Sequence, residues 1–203
     1  HSNHLIDFSG QDVEALYSLY RNAGIEFLKG HAPKPKLSGR MIRRNPMQYI
    51  SHYSSPLGYI LLAADETGLT GLWFEGQKYF ALYLDKVYEE KELPVLKRTK
   101  QWLDLYFSGK EPDFIVPFHF TGTNFQNEVW EILCTIPYGK TVTYGQIAKQ
   151  ISEKYGKKQM SAQAVGQAVG HNKISILVPC HRVVGSDGSL TGYAGGIEKK
   201  QLC

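Results

Sequence analysis

The segment TYGQIAKQISEKYGKKQMSAQAVGQAVG, residues 143–170, has the pattern of two short helices joined by a polar turn. Its first four residues form a capping box, so a helix should begin there and continue to about Ile151. A Lys-rich turn follows, and Ser161 can cap a second helix that runs to Gly170. Two short helices connected in this way suggest a helix-turn-helix, although the pattern is common and weak by itself.

The second of these helices is composed largely of small residues, SAQAVGQAVG at 161–170. Small side chains allow the backbone to come close to a bulky surface, and Gln163 and Gln167 lie four apart on one face. The alternative is close packing against the protein core, because Val165 and Val169 must be buried somewhere. Both interpretations stay open at this point.

The rest of the chain divides into three parts. Residues 1–46 are interpreted as an extension, with a helix-like apolar pattern over Asp12–Leu28 followed by a Pro-rich linker. Residues 47–120 indicate a small α/β unit, and residues 121–203, which include the helix pair, form a second domain. The predicted strands are Tyr49–Tyr53, Tyr59–Ala64, Leu69–Phe74 and Phe114–Phe118, and the predicted helices run from Pro94 to about Phe107 and from the Thr123–Gln126 capping box to about Cys134.

A reactive cysteine is suggested by Pro-Cys-His-Arg-Val at 179–183. The apolar run 174–178 before it predicts a buried strand whose end holds Cys180 rigidly, and the Gly-rich loop 185–196 after it could wrap a flat ligand. The histidine and arginine that follow the cysteine favour the thiolate, which is the nucleophilic form. A free cysteine is also often a small buried hydrophobe, and a Cys-His pair is compatible with a thiol hydrolase.

Bulk properties narrow the class of protein. The 203 residues, 42% of them hydrophobic, suffice for one large or two small domains, and no apolar run approaches a membrane-spanning length. Three cysteines without repeated spacing predict neither a disulfide framework nor a zinc site, so no metal and no cofactor is expected. Because no signal peptide is visible, we expect a reducing location, cytoplasmic or, in a eukaryote, nuclear.

The net charge of +4 is distributed unevenly. Residues 127–203 hold nine Lys and Arg against five Asp and Glu, whereas residues 1–126 hold fourteen of each. A polyanion would therefore meet the C-terminal part, with Lys140 and Lys173 as expected phosphate contacts. On charge alone, a solvated basic face is an equal alternative.

Residues 47–203 resemble the methylated-DNA–protein-cysteine methyltransferases, also called O6-alkylguanine-DNA alkyltransferases. The motifs that carry the resemblance are FQNEVW at 125–130, IPYGKTVTYG at 136–145, AVG at 164–166, HN at 171–172, PCHRV at 179–183 and GYAGG at 192–196. Their order is highly specific. The resemblance implies an α/β N-terminal domain that is ribonuclease-H-like and a mainly α C-terminal domain that is winged helix-turn-helix-like.

The same resemblance implies a role for each site residue. Cys180 would accept the alkyl group from O6 of guanine, and from O4 of thymine, in one irreversible turnover. His181 would take the thiol proton through a water, and Asn172 would link the recognition helix to the active-site loop. Tyr144 would serve the leaving guanine. The base pocket would be formed by the backbone at Cys180 together with Val183, Tyr193, Ala194 and Gly195.

Double-stranded DNA that contains O6-alkylguanine is the implied partner, bound by a monomer. The helix at 161–170 would enter the minor groove, and the damaged nucleotide would flip out of the stack at a cost of roughly a few kcal/mol. The expected DNA contacts are Thr143, Ala162, Gln163 and Gly166.

Two features depart from the family's pattern. Arginine is common in the family where Gln163 stands, and glutamine can fill the same space without the charge. The family also has a glutamate that orients the histidine, in a helix beyond the Gly195-Gly196 segment. This acid either follows Cys203 or is absent, and Glu198 falls too early to match it. Without that acid, His181 should be poorly oriented and transfer slow at neutral pH. A lesion-binding relative, which would lack Cys180, and a Cys-His hydrolase are the competing interpretations.

Overall fold

The computed structural model describes residues 46–82, 84–156 and 160–203. The expected extension, apart from Pro46, and its helix over 12–28 lie outside the described residues. Within the part of the chain that is described, no helix combines the length and the apolar character needed to cross a bilayer.

A four-stranded sheet forms the N-terminal domain. Its strands are β1 (Gln48–Ser55), β2 (Gly58–Ala64), β3 (Leu69–Phe74) and β4 (Tyr88–Glu90), in the spatial order β3-β2-β1-β4. The first three strands are antiparallel neighbours, and β4 pairs with β1 in parallel. The three strands predicted in this region are confirmed. Strand β4, three exposed residues with two glutamates, carries no apolar alternation by which sequence could have predicted it.

The two faces of this sheet are covered differently. On one face Ile60 and Leu62 pack in the main core with helix α1 (Pro94–Phe107), which begins with Pro94 as predicted. On the other face a small cluster, which includes Trp73, is covered by the segment that connects β3 to β4. The segment between β3 and β4 therefore covers this face of the sheet, and it also contacts the second domain.

The predicted strand Phe114–Phe118 is wrong. The segment is irregular, and only Phe118 forms an isolated bridge, with Leu69. Pro117 offers no N–H to a ladder, although its carbonyl accepts a bond of 2.8 Å from the N–H of Leu69. The segment thus lies beside the sheet edge without becoming a strand.

The C-terminal domain is mainly helical. Its helices are α2 (Asn124–Cys134), α3 (Tyr144–Lys154), α4 (Ala162–Gly170) and α5 (Ile197–Leu202), with a 3₁₀ turn at Cys180–Arg182 and two short parallel strands, β5 (Val142–Thr143) and β6 (Val183–Val184). Both predicted capping boxes are formed, and Ser161 caps α4 as expected. Helix α3 continues three residues beyond the predicted end, and Gly170 is the last helical residue of α4.

The expected strand at 174–178 is also wrong, since the segment turns back on itself. Val178 N–H bonds the carbonyl of Ile174 at 3.1 Å, and only Ile174 bridges to the sheet, beside Leu72. The Asn172 side chain binds both backbone groups of Ile174, so local bonds replace a ladder. Two backbone bonds between Leu72 and residues 173 and 175 join the two domains here.

Candidate active site

Cys180 lies at the first position of the 3₁₀ turn and is only 3% exposed. Its Sγ is 3.0 Å from Nδ2 of Asn172, which donates a hydrogen bond to it. The same amide donates to the carbonyl of Val178 at 3.0 Å. One side chain just past the end of helix α4 therefore binds both the thiol and the backbone that leads to it.

The turn that leads to Cys180 contains a strained residue. Ile176 has φ of +71°, a left-handed conformation that is unfavourable for a β-branched side chain. Such conformations persist only where the surroundings impose them, and Ile176 is buried in the core. The position of the nucleophile is therefore set by packing and hydrogen bonds at the expense of local backbone preference.

Burial dominates the protonation of Cys180. It raises the pKa of the thiol from 9.0 to about 11, although the Asn172 hydrogen bond and the charge of Lys200 act in the opposite direction. The expectation that positive neighbours would favour the thiolate is wrong, because the pKa of the thiol is raised. The desolvation of a fully enclosed sulfur outweighs them. At neutral pH the group is a thiol.

His181 is neutral as well, because burial lowers its pKa to about 3 and the charges of Arg182 and Lys200 act in the same direction. Its Nε2 is 3.1 Å from the hydroxyl of Tyr106, which itself donates to the carbonyl of Cys203 at 2.7 Å. The hydroxyl hydrogen is thus committed, and the network assigns the ring hydrogen to Nε2. Nδ1 is buried and has no hydrogen-bond partner among the described residues, so it is the ring nitrogen that can accept a hydrogen bond or a proton.

Tyr144, at the start of helix α3, contacts the Gly-rich loop. Its hydroxyl donates to the carbonyl of Thr191 at 2.7 Å. A Cβ at Gly192, where φ is +68°, would lie 2.7 Å from that hydroxyl oxygen, so glycine is required for this close approach.

Lys200 is a site residue that the sequence did not predict. Its side chain is buried, its Nζ also donates to the carbonyl of Thr191, and it lies 3.5 Å from the hydroxyl of Tyr144. Burial lowers the pKa of the amine to about 8, while the nearby Cys180 acts to raise it. A Lys-Lys pair in a short helix is typical of a solvated surface, and no pattern in the sequence distinguishes this one. Tyr106, which lies far from His181 in the sequence, also belongs to no motif that could have predicted its place in the site.

The remaining residues expected to surround the base lie along the Gly-rich loop and strand β6. Tyr193 is buried, and a Cβ at Gly195 would come within 2.7 Å of its ring, so the loop closes tightly on itself. The carbonyl of Ala194 accepts a bond from the N–H of Lys78 in the N-terminal domain, at 3.0 Å. Val183 pairs with Val142, and its N–H donates to the carbonyl of Cys180.

Helix α4 has one buried face and one exposed face. Val165 and Val169 are buried, whereas Ala162, Gln163 and Gln167 are exposed on the opposite side. Trp130 holds the helix through a bond of 2.8 Å from its Nε1 to the carbonyl of Ala168. The exposed face of small residues and glutamines therefore has a rigid backing.

Gly166 and Thr143, two other expected DNA contacts, also have contacts within the protein. Gly166 lies beside the ring of Tyr144, where an added Cβ would make an ordinary contact at 3.8 Å. The hydroxyl of Thr143 caps helix α3 by accepting the N–H of Gln146 at 3.1 Å, and the residue remains half-buried. Neither arrangement prevents contact by the backbone of these residues.

The expected phosphate contact at Lys173 is wrong. Its side chain is buried, with Nζ donating to the carbonyl and the hydroxyl of Thr121, both at 2.7 Å. Burial lowers the pKa of this amine to about 8. Lys173 lies at the junction of the two domains, whereas Lys140 is partly exposed.

No group of three His, Cys, Asp or Glu side chains suited to a metal ion occurs among the described residues.

The structure thus combines a small α/β domain with a helical domain, and the helical domain holds one enclosed cysteine that is hydrogen-bonded to an asparagine. These features indicate a two-domain protein with a single candidate nucleophile among the described residues. Residues 48–120 match the family described as "6-O-methylguanine DNA methyltransferase, ribonuclease-like domain", and residues 124–203 match "6-O-methylguanine DNA methyltransferase, DNA binding domain". The chain belongs to the 6-O-methylguanine DNA methyltransferase family.

Curated relatives and solved structures agree with this assignment. A methylated-DNA–protein-cysteine methyltransferase of Methanosarcina barkeri is 43% identical over 155 residues, covering 76% of this chain and 93% of the relative. The enzyme of the same name from Haemophilus influenzae is 38% identical and covers 76% of this chain and 83% of the relative. The structure of Mycobacterium tuberculosis OGT in complex with DNA is similar with a TM-score of 0.65 and 39% identity, over 75% of this chain and 88% of that one.

The raised pKa of Cys180 can be tested with a small electrophile. The rate of iodoacetamide alkylation at Cys180, followed by peptide mass spectrometry, should climb about tenfold per pH unit from pH 7 to 10, because the reactive thiolate is a minor form throughout. The same peptide in the urea-unfolded chain should level off above about pH 9. A plateau near neutral pH in the folded protein would show that its thiolate is already formed.

Proposed function

We propose that this protein repairs alkylated DNA by transferring the alkyl group from O6 of guanine to Sγ of Cys180. The observation that carries the proposal is the enclosed Cys180, whose Sγ accepts a hydrogen bond of 3.0 Å from the Asn172 side chain. O4-alkylthymine is a second expected substrate. The protein would act as a monomer on double-stranded DNA.

The transfer is a single displacement. A bond forms between Sγ and the alkyl carbon while the carbon–O6 bond breaks, and its electron pair leaves with the guanine. The thiol proton passes through a water to Nδ1 of His181, and the hydroxyl of Tyr144 gives a proton to the base, so that the guanine leaves neutral. The proton on His181 then returns through water to Tyr144, which restores both side chains. The product is a thioether that water does not readily hydrolyse, so each molecule acts once.

Tyr144 and Lys200 support the departure of the base. The hydroxyl of Tyr144 and the ammonium of Lys200 share one acceptor, the carbonyl of Thr191. When a guanine enters, Lys200 can keep that carbonyl satisfied while Tyr144 turns its hydrogen towards the base. The buried cation also stabilises the thiolate that forms during the reaction.

The base pocket would read the guanine through backbone oxygens. The N–H groups of Cys180 and Val183 are committed to internal bonds, with Val178 and Cys180 respectively as acceptors. Carbonyl oxygens remain to accept from the exocyclic amine of guanine. Tyr193, Ala194 and Gly195 would form the wall against which the flat ring lies.

DNA would be bound by helix α4 in the minor groove, as part of a winged helix-turn-helix-like domain beside a ribonuclease-H-like domain. Small residues at Ala162 and Gly166 allow close approach to the duplex. Gln163, exposed near the start of the helix, would occupy the space left by the flipped nucleotide, and the N-cap Thr143 would contact the strand nearby.

Replacement of the acceptor gives a direct test of the chemistry. Cys180→Ser should abolish transfer and leave lesion binding intact, because a hydroxyl is far less nucleophilic than a thiolate near neutral pH. Mass spectrometry after incubation with O6-methylguanine DNA should place the methyl group on Cys180 in the native protein and leave Cys134 and Cys203 unmodified. Transfer by the serine variant, or label on Cys134, would refute the assignment.

Replacement of Gln163 tests the DNA contact. Gln163→Ala should weaken duplex binding and slow repair of paired O6-alkylguanine by roughly tenfold, with much less effect on a free alkylguanine, which leaves no gap in a base stack. The matched control is Gln201→Ala, an exposed glutamine of helix α5, which should change neither rate. Equal slowing with both substrates would assign Gln163 to the catalytic site instead.

A further inference from the structure

Three consecutive residues of the N-terminal domain, Gln77–Tyr79, contact three different parts of the candidate active site. They belong to the segment that leaves β3 and covers the outer face of the sheet. None of them carries a sequence motif, and apart from Tyr106 the site residues described above lie in the second domain. Each contact is made through a different group.

Gln77 is the first of the three and is buried. Its Oε1 accepts a bond of 2.8 Å from the N–H of Phe74 and lies 3.4 Å from the hydroxyl of Ser175. Ser175 belongs to the turn between Asn172 and Cys180. The end of strand β3 is thereby tied to the turn that positions the nucleophile.

Lys78 contacts the wall of the base pocket. Its backbone N–H donates to the carbonyl of Ala194 at 3.0 Å. Its side chain is exposed, with Nζ 4.9 Å from the centre of the Tyr79 ring. The Gly-rich loop is thus hydrogen-bonded to the other domain at Ala194.

Tyr79 contacts the end of the recognition helix. Its ring stacks on His171 with centroids 4.5 Å apart and an angle of 23°. His171 caps helix α4 and bonds the carbonyl of Gln167 through Nδ1 at 2.7 Å. Tyr79 adopts φ of +62°, which is uncommon for a residue with a side chain and marks a position that the surroundings impose.

We propose that Gln77–Tyr79 is a positioning element that fixes the distance between helix α4 and the base pocket. This inference rests on the proposed function. A flipped nucleotide remains covalently joined to the duplex in which α4 lies, so a change in the distance from helix to pocket misplaces the alkyl carbon relative to Sγ. A free base has no such connection and needs only the pocket.

The test compares Tyr79→Ala with Tyr79→Phe, which keeps an aromatic ring for stacking, and with Phe80→Ala, which removes an exposed neighbouring ring. Single-turnover rates are measured on duplex O6-methylguanine DNA and on free O6-benzylguanine, with melting temperature as a check of folding. Tyr79→Ala should slow the duplex reaction about tenfold and the free-base reaction less than about twofold. Tyr79→Phe and Phe80→Ala should match the native protein on both substrates.

A double-mutant cycle identifies the stack itself. Tyr79→Ala and His171→Ala should each slow the duplex reaction, and together they should slow it little more than either alone. If Tyr79→Ala does not fold, Tyr79→Leu, which keeps apolar bulk without a ring, takes its place. Equal slowing on both substrates, no slowing on duplex DNA, or additive effects would overturn the proposal. If native protein transfers no alkyl group, the proposed function fails instead.

Discussion

The hydrogen bonds of one buried amide, the side chain of Asn172, connect the parts of this structure that the chemistry needs. Its oxygen accepts the N–H of Ile174, and its nitrogen donates to the carbonyls of Ile174 and Val178 and to Sγ of Cys180. Only two hydrogens serve these three acceptors, so the bonds are shared. The end of helix α4, the strained turn and the nucleophile therefore move as one unit, and loss of the amide would release all three.

Burial in the enclosed site keeps the nucleophile and the neighbouring histidine uncharged. Burial holds Cys180 as a thiol and His181 as an uncharged imidazole, and it lowers the pKa of Lys200. A resting thiolate would be open to any small electrophile, whereas a thiol is comparatively inert. The reactive form is then produced only as its proton leaves, with Asn172 and Lys200 already in place to stabilise the charge. Selectivity for a base in the pocket follows from this arrangement.

Local sequence signals predicted local structure well. The Thr123 and Thr143 capping boxes and the Ser161 cap each opened a helix where expected, because these motifs satisfy backbone groups within a few residues. The strands predicted from the apolar runs 114–118 and 174–178 were wrong. The first run forms only a single bridge to the sheet, and the backbone of the second is hydrogen-bonded to the Asn172 side chain. Apolar periodicity records burial and does not record the bonding partner.

The candidate site was predictable only where motifs carried it. The motifs of the family resemblance contain four of the site residues, Cys180, His181, Asn172 and Tyr144. In the structure the Asn172 side chain donates a hydrogen bond to the thiol. Tyr106 and Lys200 come from other parts of the chain and acquire their significance only from the fold. The burial of Cys180 also results from tertiary packing. The charged neighbours in the sequence predicted a lowered pKa of the thiol, whereas burial raises it.

The most direct test of the account is the stoichiometry of transfer. Native protein is incubated with an excess of duplex DNA that carries isotopically labelled O6-methylguanine, and the label bound per protein molecule is counted over time. The account predicts a rise to one methyl group per chain, held at Cys180, with no further reaction. Continued release of repaired DNA beyond one equivalent, or a protein that never acquires label, would contradict it.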